Sequence, residues 1–218
     1  MRRLGALGAA ALVVVGLVIA QLVLPGIAAQ RLRDRLSRSG RVLEVHVHAF
    51  PAIELLWHQA DSVVVRMATY RAPSSRLADT LAQAADVGTL DASAELFQDG
   101  LLTLHDAGLV KHGNGLRGAA TVTQADLRTA LPILSSVTPI ASGAGRLVLR
   151  GTATLFGLTA TVDATVSGAN GKLVVTPNVP FGGLATITVF SDPRIRVTGV
   201  SATPVPGGFT VRGTAVLR

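Results

Sequence analysis

The chain has no cysteine. That excludes disulfides, zinc–thiolate sites and thiol nucleophiles. Aromatic residues make up 4% of its 218 positions, so large rings cannot fill an interior and aliphatic or small side chains must. Lysine occurs only at Lys111 and Lys172. Catalytic signatures are missing as well: there is no G-x-S-x-G elbow, P-loop or H-E-x-x-H. Aspartates are scattered, and no nucleophile stands beside a base. An enzyme is therefore not the expectation, and neither a cofactor nor a metal is implied. Glycan or lipid chemistry by paired carboxylates would need two acids, such as Asp163 and a partner, to meet in a cleft.

Two apparent motifs have plainer readings. Gly113-Asn114-Gly115-Leu116-Arg117-Gly118 fits G-x-G-x-x-G. That pattern binds dinucleotides only between a strand and an opening helix. Here Ala119-Ala120-Thr121-Val122 follows, which is strand-like, so the segment reads as a glycine-rich loop between strands. Glu44, His46 and His48 could ligate zinc from one strand face. A strand's solvent face is nevertheless where such residues belong without any metal.

What the chain does have is a long apolar start. Leu4 to Leu24 is interrupted by one polar side chain, Gln21, and is preceded by Met1-Arg2-Arg3. About 20 apolar residues cross a bilayer as a helix. A cleaved signal usually has a shorter apolar stretch, although Gly26-Ile27-Ala28 would pass as a poor cleavage site. The favoured reading is an uncleaved anchor, with the rest of the chain outside the cytoplasm. The arginines just behind the run oppose that orientation, because positive charge near a span prefers the cytoplasmic side.

Charge is divided unevenly. The formal net charge is +7. Residues 1–41 hold seven arginines and one acid, Asp34, for +6; the remainder carries +1. A nucleic-acid binder needs a basic stripe on its folded domain, so nucleic acid is not expected. A basic segment behind an anchor suits anionic lipid headgroups.

Ile27 to Ser39 has the spacing of a short amphipathic helix, with Leu32 and Leu36 on one face and Arg31, Arg35 and Arg38 around it. From Val42 the period becomes two, and strands dominate. The spacing predicts strands at Val42–Ala49, Ser62–Tyr70, Val87–Phe97, Leu101–His105, Leu147–Leu155, Leu158–Ser167, Lys172–Thr176, Ala185–Phe190, Ile195–Ala202 and Phe209–Leu217. Helical composition occurs at Arg76–Ala85. A short helix is expected over Thr123–Leu131, capped by Thr123 and ended by Pro132. Asn170-Gly171 is the best hairpin signal. Leu158, Ala160, Val162, Ala164 and Val166 share one strand face, and Phe209, Val211, Gly213, Ala215 and Leu217 another. These faces are aliphatic and often small. They suit an ordinary covered core or, alternatively, a groove for acyl chains.

The fold class expected is α+β. A transmembrane or signal helix occupies 1–25, and a domain at 26–218 has a curved antiparallel β-sheet wrapped on one or more helices.

The strand ending in Phe50-Pro51, the segment Ile53-Glu54-Leu55-Leu56-Trp57 and the strand opening Ala60-Asp61-Ser62-Val63 form one set of familiar motifs. Val197-Thr198-Gly199-Val200, Pro206-Gly207-Gly208-Phe209-Thr210-Val211 and Gly213 form another. Together they resemble the actinobacterial LmeA-like phospholipid-binding proteins along nearly all of 26–218. Ala49 stands where that family usually has glycine, and 71–145 matches only in the order of its elements. The resemblance implies an extracytoplasmic, non-enzymatic protein that binds phospholipid and supports envelope lipids or lipoglycans such as mannan. It also implies an architecture similar to tubular lipid-binding domains. On this reading acyl chains lie along the apolar faces carrying Val162 and Val211. Phe50, Ile53, Leu55, Leu56 and Trp57 form a mouth or membrane-touching edge. Arg31, Arg35 and Arg38 meet anionic headgroups, and envelope glycosyltransferases are candidate partners. The alternative is an anchored envelope scaffold with a fully packed core and no lipid.

Overall fold

A computed structural model describes residues 21, 23–50, 60–72, 79, 85–132, 134–155, 158–169, 171–179 and 186–218. The predicted anchor at 4–24 lies almost wholly outside them. No helix among the described residues is long and apolar enough to cross a membrane.

Residues 23–36 are helical, so the helix includes Pro25 and begins earlier than the spacing suggested. Its last turn closes through Ser37 N–H to Arg33 O (2.9 Å) and Ser39 N–H to Leu36 O (2.8 Å). Leu32 and Leu36 pack on the main core, while the arginines between them stay exposed. That is the amphipathic split expected of a surface helix.

Twelve strands follow among the described residues: β1 (Gly40–His48), β2 (Ala60–Arg71), β3 (Val87–Asp99), β4 (Leu102–His112), β5 (Gly115–Thr123), β6 (Leu134–Gly143), β7 (Arg146–Leu155), β8 (Leu158–Ala169), β9 (Lys172–Pro177), β10 (Ile187–Ser191), β11 (Ile195–Val205) and β12 (Gly208–Leu217). The short helix Gln124–Ala130 sits between β5 and β6. Thr123 caps it by accepting from Asp126 N–H (3.1 Å), as its sequence predicts. Of the segment Gly113–Gly118, only Gly113 and Asn114 form the turn between β4 and β5, with Gly113 at φ +53°; Gly115 to Gly118 already belong to β5 and not to a loop. The β8–β9 hairpin turns at Gly171, whose φ of +80° favours glycine.

The architecture is mostly β, but it has two open, curved sheets where one was expected. The large sheet runs β1-β2-β3-β4-β5-β12-β11 and the small one β10-β9-β8-β7-β6. The chain leaves the large sheet after β5, builds β6 to β10, and returns so that β12 pairs with β5. One pair, β2 with β3, is parallel, against the antiparallel expectation. Residues 72–86 separate these strands, long enough for the crossover that a parallel pair requires. The helical composition at 76–85 falls largely outside the described residues.

The sheets meet chiefly where β11 crosses the inner face of the small sheet. Ser142 Oγ both donates to Ala202 O (3.2 Å) and accepts from Ala202 N–H (3.1 Å), which pins β6 to β11. Three buried clusters result. One lies on the large sheet, includes Val63, Val65, Met67, Tyr70 and Leu90, and reaches Leu116, Ile195 and Leu217 on β5, β11 and β12. The other two fill the space between the sheets, around Val122, Val137 and Phe209, and around Leu147, Val166 and Val200.

Candidate functional site: an apolar lane on the inner sheet face

Strand register brings one row of residues across the large sheet. It runs Val45, Val65, Ala92, Leu109, Gly118, Gly213, Val200. These share the inner face, because side chains at paired positions point the same way. Val45, Val65 and Val200 at the ends are buried. Ala92, Leu109, Gly118 and Gly213 in the middle are only half-buried. The next row repeats the pattern: Met67 and Ala94 are buried, whereas Ala120 and Val211 are half-buried.

The middle of the row is low because its side chains are small. Among the described residues, a Cβ built on Gly213 would have no atom within 4 Å, and one on Gly118 would meet only Gly108 O and Leu109 Cδ1, at 3.7 and 3.8 Å. A lane of small residues therefore runs through mid-sheet, bordered by the first cluster through Ala92 and Leu109 and by the inter-sheet clusters through Val200 and Val211. Among the described residues, no carboxylate pair, metal cluster or nucleophile–base pair lies along it.

The small sheet continues the apolar surface. On β8, Val166 is buried and Ala164 half-buried, but Val162 is 38% and Leu158 77% exposed. Ile187 on β10 is exposed on the same inner face as Val175. The β8 face predicted as apolar is therefore covered at one end and bare at the other, because β11 covers only part of its length.

The residues predicted for lipid contact are dispersed. Val211 packs in both inter-sheet clusters, one inner-face step along β12 from Gly213. Val162 stands on the other sheet, beyond the covered region. Phe50 is 71% exposed, and its backbone N–H donates to Asp61 Oδ2 (2.7 Å). Ile53, Leu55, Leu56 and Trp57 lie outside the described residues. Arg31, Arg35 and Arg38 are all exposed. His46 meets Glu44 at 2.6 Å on the solvent face, which satisfies the supposed metal ligands with each other.

Lys111 stands out against its sequence context. It lies in an inner-face row between Leu90 and Leu116 and is 1% exposed. Its Nζ donates to Ala85 O (3.1 Å) and to Val87 O. Burial pushes its pKa below the ordinary lysine value, and the nearby Asp86 charge opposes that only in part. The ammonium ties the start of β3 to β4 across the sheet. Sequence offered one faint signal for it, a lysine at an apolar phase of an alternating strand.

A family model described as LmeA-like phospholipid-binding matches residues 15–216. The chain belongs to the LmeA-like phospholipid-binding family. No curated protein and no solved structure is significantly similar to it. Membership supports phospholipid as the ligand class, and the matched residues 15–216 span both sheets.

Proposed function

We propose that this LmeA-like chain is an extracytoplasmic, non-enzymatic protein that holds a phospholipid with its acyl chains along the Gly118–Gly213 lane. The observation that supports this reading is that, among the described residues, nothing covers Gly213 in an otherwise apolar row. Burying an acyl chain contributes about 0.8 kcal/mol per CH2, so a shallow lane becomes a strong site if several methylenes are covered. The exposed end of β8, with Val162 and Leu158, extends the apolar path outward. Phe50 and the segment bearing Ile53, Leu55, Leu56 and Trp57 form its membrane-facing edge. Arg31, Arg35 and Arg38 face anionic headgroups. The segment 4–24 anchors the domain in the cell membrane, next to the source of its ligand. The role is maintenance of envelope lipids or lipoglycans such as mannan, alongside envelope glycosyltransferases.

A scaffold with a fully packed core would not need half-buried glycines facing each other in mid-sheet. The test is solvent extraction of the purified full chain followed by mass spectrometry. Co-purified phospholipid in stoichiometric amount is expected, and its absence refutes the reading.

A further inference from the structure

Three arginines meet at one end of the β1–β2 pair. Arg38 lies in the turn after helix 23–36, Arg41 on β1 and Arg71 on β2. With Ser39, Gly40 and Thr69 they line an open depression of about 360 Å³. Past the register shift at Arg41/Val42, Arg41 pairs with Thr69, and Thr69 and Arg71 flank the buried Tyr70, so Arg41 and Arg71 share the face opposite Tyr70 and are exposed. The backbone fixes this corner. Arg71 N–H donates to Ser39 O (2.7 Å), and Arg41 N–H donates to Thr69 Oγ1 (3.1 Å). A Cβ on Gly40 would lie 1.9 Å from Thr69 O, so the strands approach this closely only with glycine there. Gln98 Oε1 accepts from Arg71 Nε (2.6 Å), orienting that guanidinium from one side.

None of the three arginines forms an ion pair among the described residues, whereas Arg66, Arg150 and Arg194 each hold a carboxylate. Like charges close together on one sheet face are destabilising. The negative end of helix 23–36 favours a cation at Arg38, but it does not account for Arg71, which arrives from the far strand. Guanidinium groups are the side chains best matched to phosphate oxygens, and the Ser39 and Thr69 hydroxyls add donors.

We propose that Arg38, Arg41 and Arg71 form a receptor for the phosphate of an anionic phospholipid headgroup, separate from the acyl lane. This rests on phospholipid being the ligand class and adds a second contact, on the opposite face from the lane, for the headgroup of a lipid at the membrane surface and not of the lipid held in the lane. The experiment is calorimetric titration of the full chain in nonionic detergent with dihexanoylphosphatidylglycerol and, separately, with inorganic phosphate. R38Q/R41Q/R71Q is expected to weaken phosphatidylglycerol binding at least ~10-fold, with R71Q alone giving a smaller loss. R117Q/R212Q, which removes as exposed a pair of charges elsewhere on the sheet, leaves the affinity unchanged. The phospholipid carried through purification is equal in the parent and the triple variant. Parent-like titration of both R71Q and the triple variant overturns the proposal, as does inorganic phosphate binding as tightly as the lipid. A parent that carries no phospholipid counts against the acyl lane instead, and the titration still reads the arginines.

Discussion

Gly118 and Gly213 are directly paired across β5 and β12, on the inner face of the large sheet; among the described residues nothing stands over Gly213, and only ordinary contacts at 3.7 and 3.8 Å border Gly118. The valines at the ends of their row are buried, so the empty middle is not a general looseness of the sheet. In a strand interior glycine costs stability, by roughly 0.5–1 kcal/mol relative to alanine. Two facing glycines are a cost to the fold and give room to a ligand.

Gly213→Val tests that division. The position is extended and open, so valine fits the strand without a clash. Thermal unfolding of the lipid-free protein is expected to show unchanged or raised stability, by about 0.5 kcal/mol. Phospholipid recovered after purification is expected to fall several-fold. A lower melting temperature with an unchanged lipid load would mean the site is ordinary core.

Thr123→Ala removes the cap of the short helix Gln124–Ala130. Thr123 accepts from Asp126 N–H, and its hydroxyl donates to the Asp126 carboxylate, which also holds His105 at 2.9 Å. Burial pushes the Asp126 carboxyl up, but the bonds from Thr123 and His105 outweigh it and hold it below the usual range. The substitution is expected to cost about 1 kcal/mol in urea unfolding. It should not change the lipid load, because the helix packs at the β6 end of the interface between the sheets.

Lys111 predicts an alkaline effect. Its folded pKa is lowered from 10.5, with burial the leading cause. The unfolded chain therefore binds the proton more readily than the folded one between the lowered value and 10.5. Stability from this group rises with pH across that window. Unfolding measured as a function of pH should show the rise in the parent and not in Lys111→Met. An identical pH profile in both would contradict the desolvated ammonium.

How much of this was legible beforehand varies by element. Period-two alternation located β7, β8, β11 and β12 closely, because each has one covered face for much of its length. The Thr123 cap and the Gly171 turn were legible because each rests on local chemistry within a few residues. β6 was missed: Leu134-Ser135-Ser136-Val137-Thr138-Pro139 has a weak pattern, and Pro139 argues against a strand, yet β6 is an edge strand where proline is tolerated. The parallel β2–β3 pair and the second sheet depend on long-range pairing, which no local pattern encodes. For the same reason Gly213 could be read as part of an apolar face, but its position opposite Gly118 could not. The β8 alternation that includes Val162 is real, but where its cover by β11 stops depends on the packing of the two sheets and is not legible in the strand itself.

Asp192 predicts the acid side. The Arg194 side chain holds its carboxylate through Nε (3.0 Å) and Nη2 (2.7 Å), outweighing the effect of burial, and Arg194 N–H adds a bond at 2.8 Å. Its pKa is lowered, so its contribution is present above the ordinary carboxylate range and is lost as pH falls through the folded value. Asp192→Asn is expected to unfold more easily at neutral pH and to lose less stability on acidification. Equal acid sensitivity in the two proteins would contradict the bidentate pair.

The central claim is that a phospholipid lies along the inner face of the large sheet. The most direct measurement is photocrosslinking of the full chain to a phospholipid carrying a diazirine in its acyl chain, followed by peptide mapping. The account predicts label on β5 and β12 near Gly118 and Gly213, lost in Gly213→Val. Label confined to the outer face, at residues such as Arg66, Arg117 or Arg212, or no label at all, would contradict it.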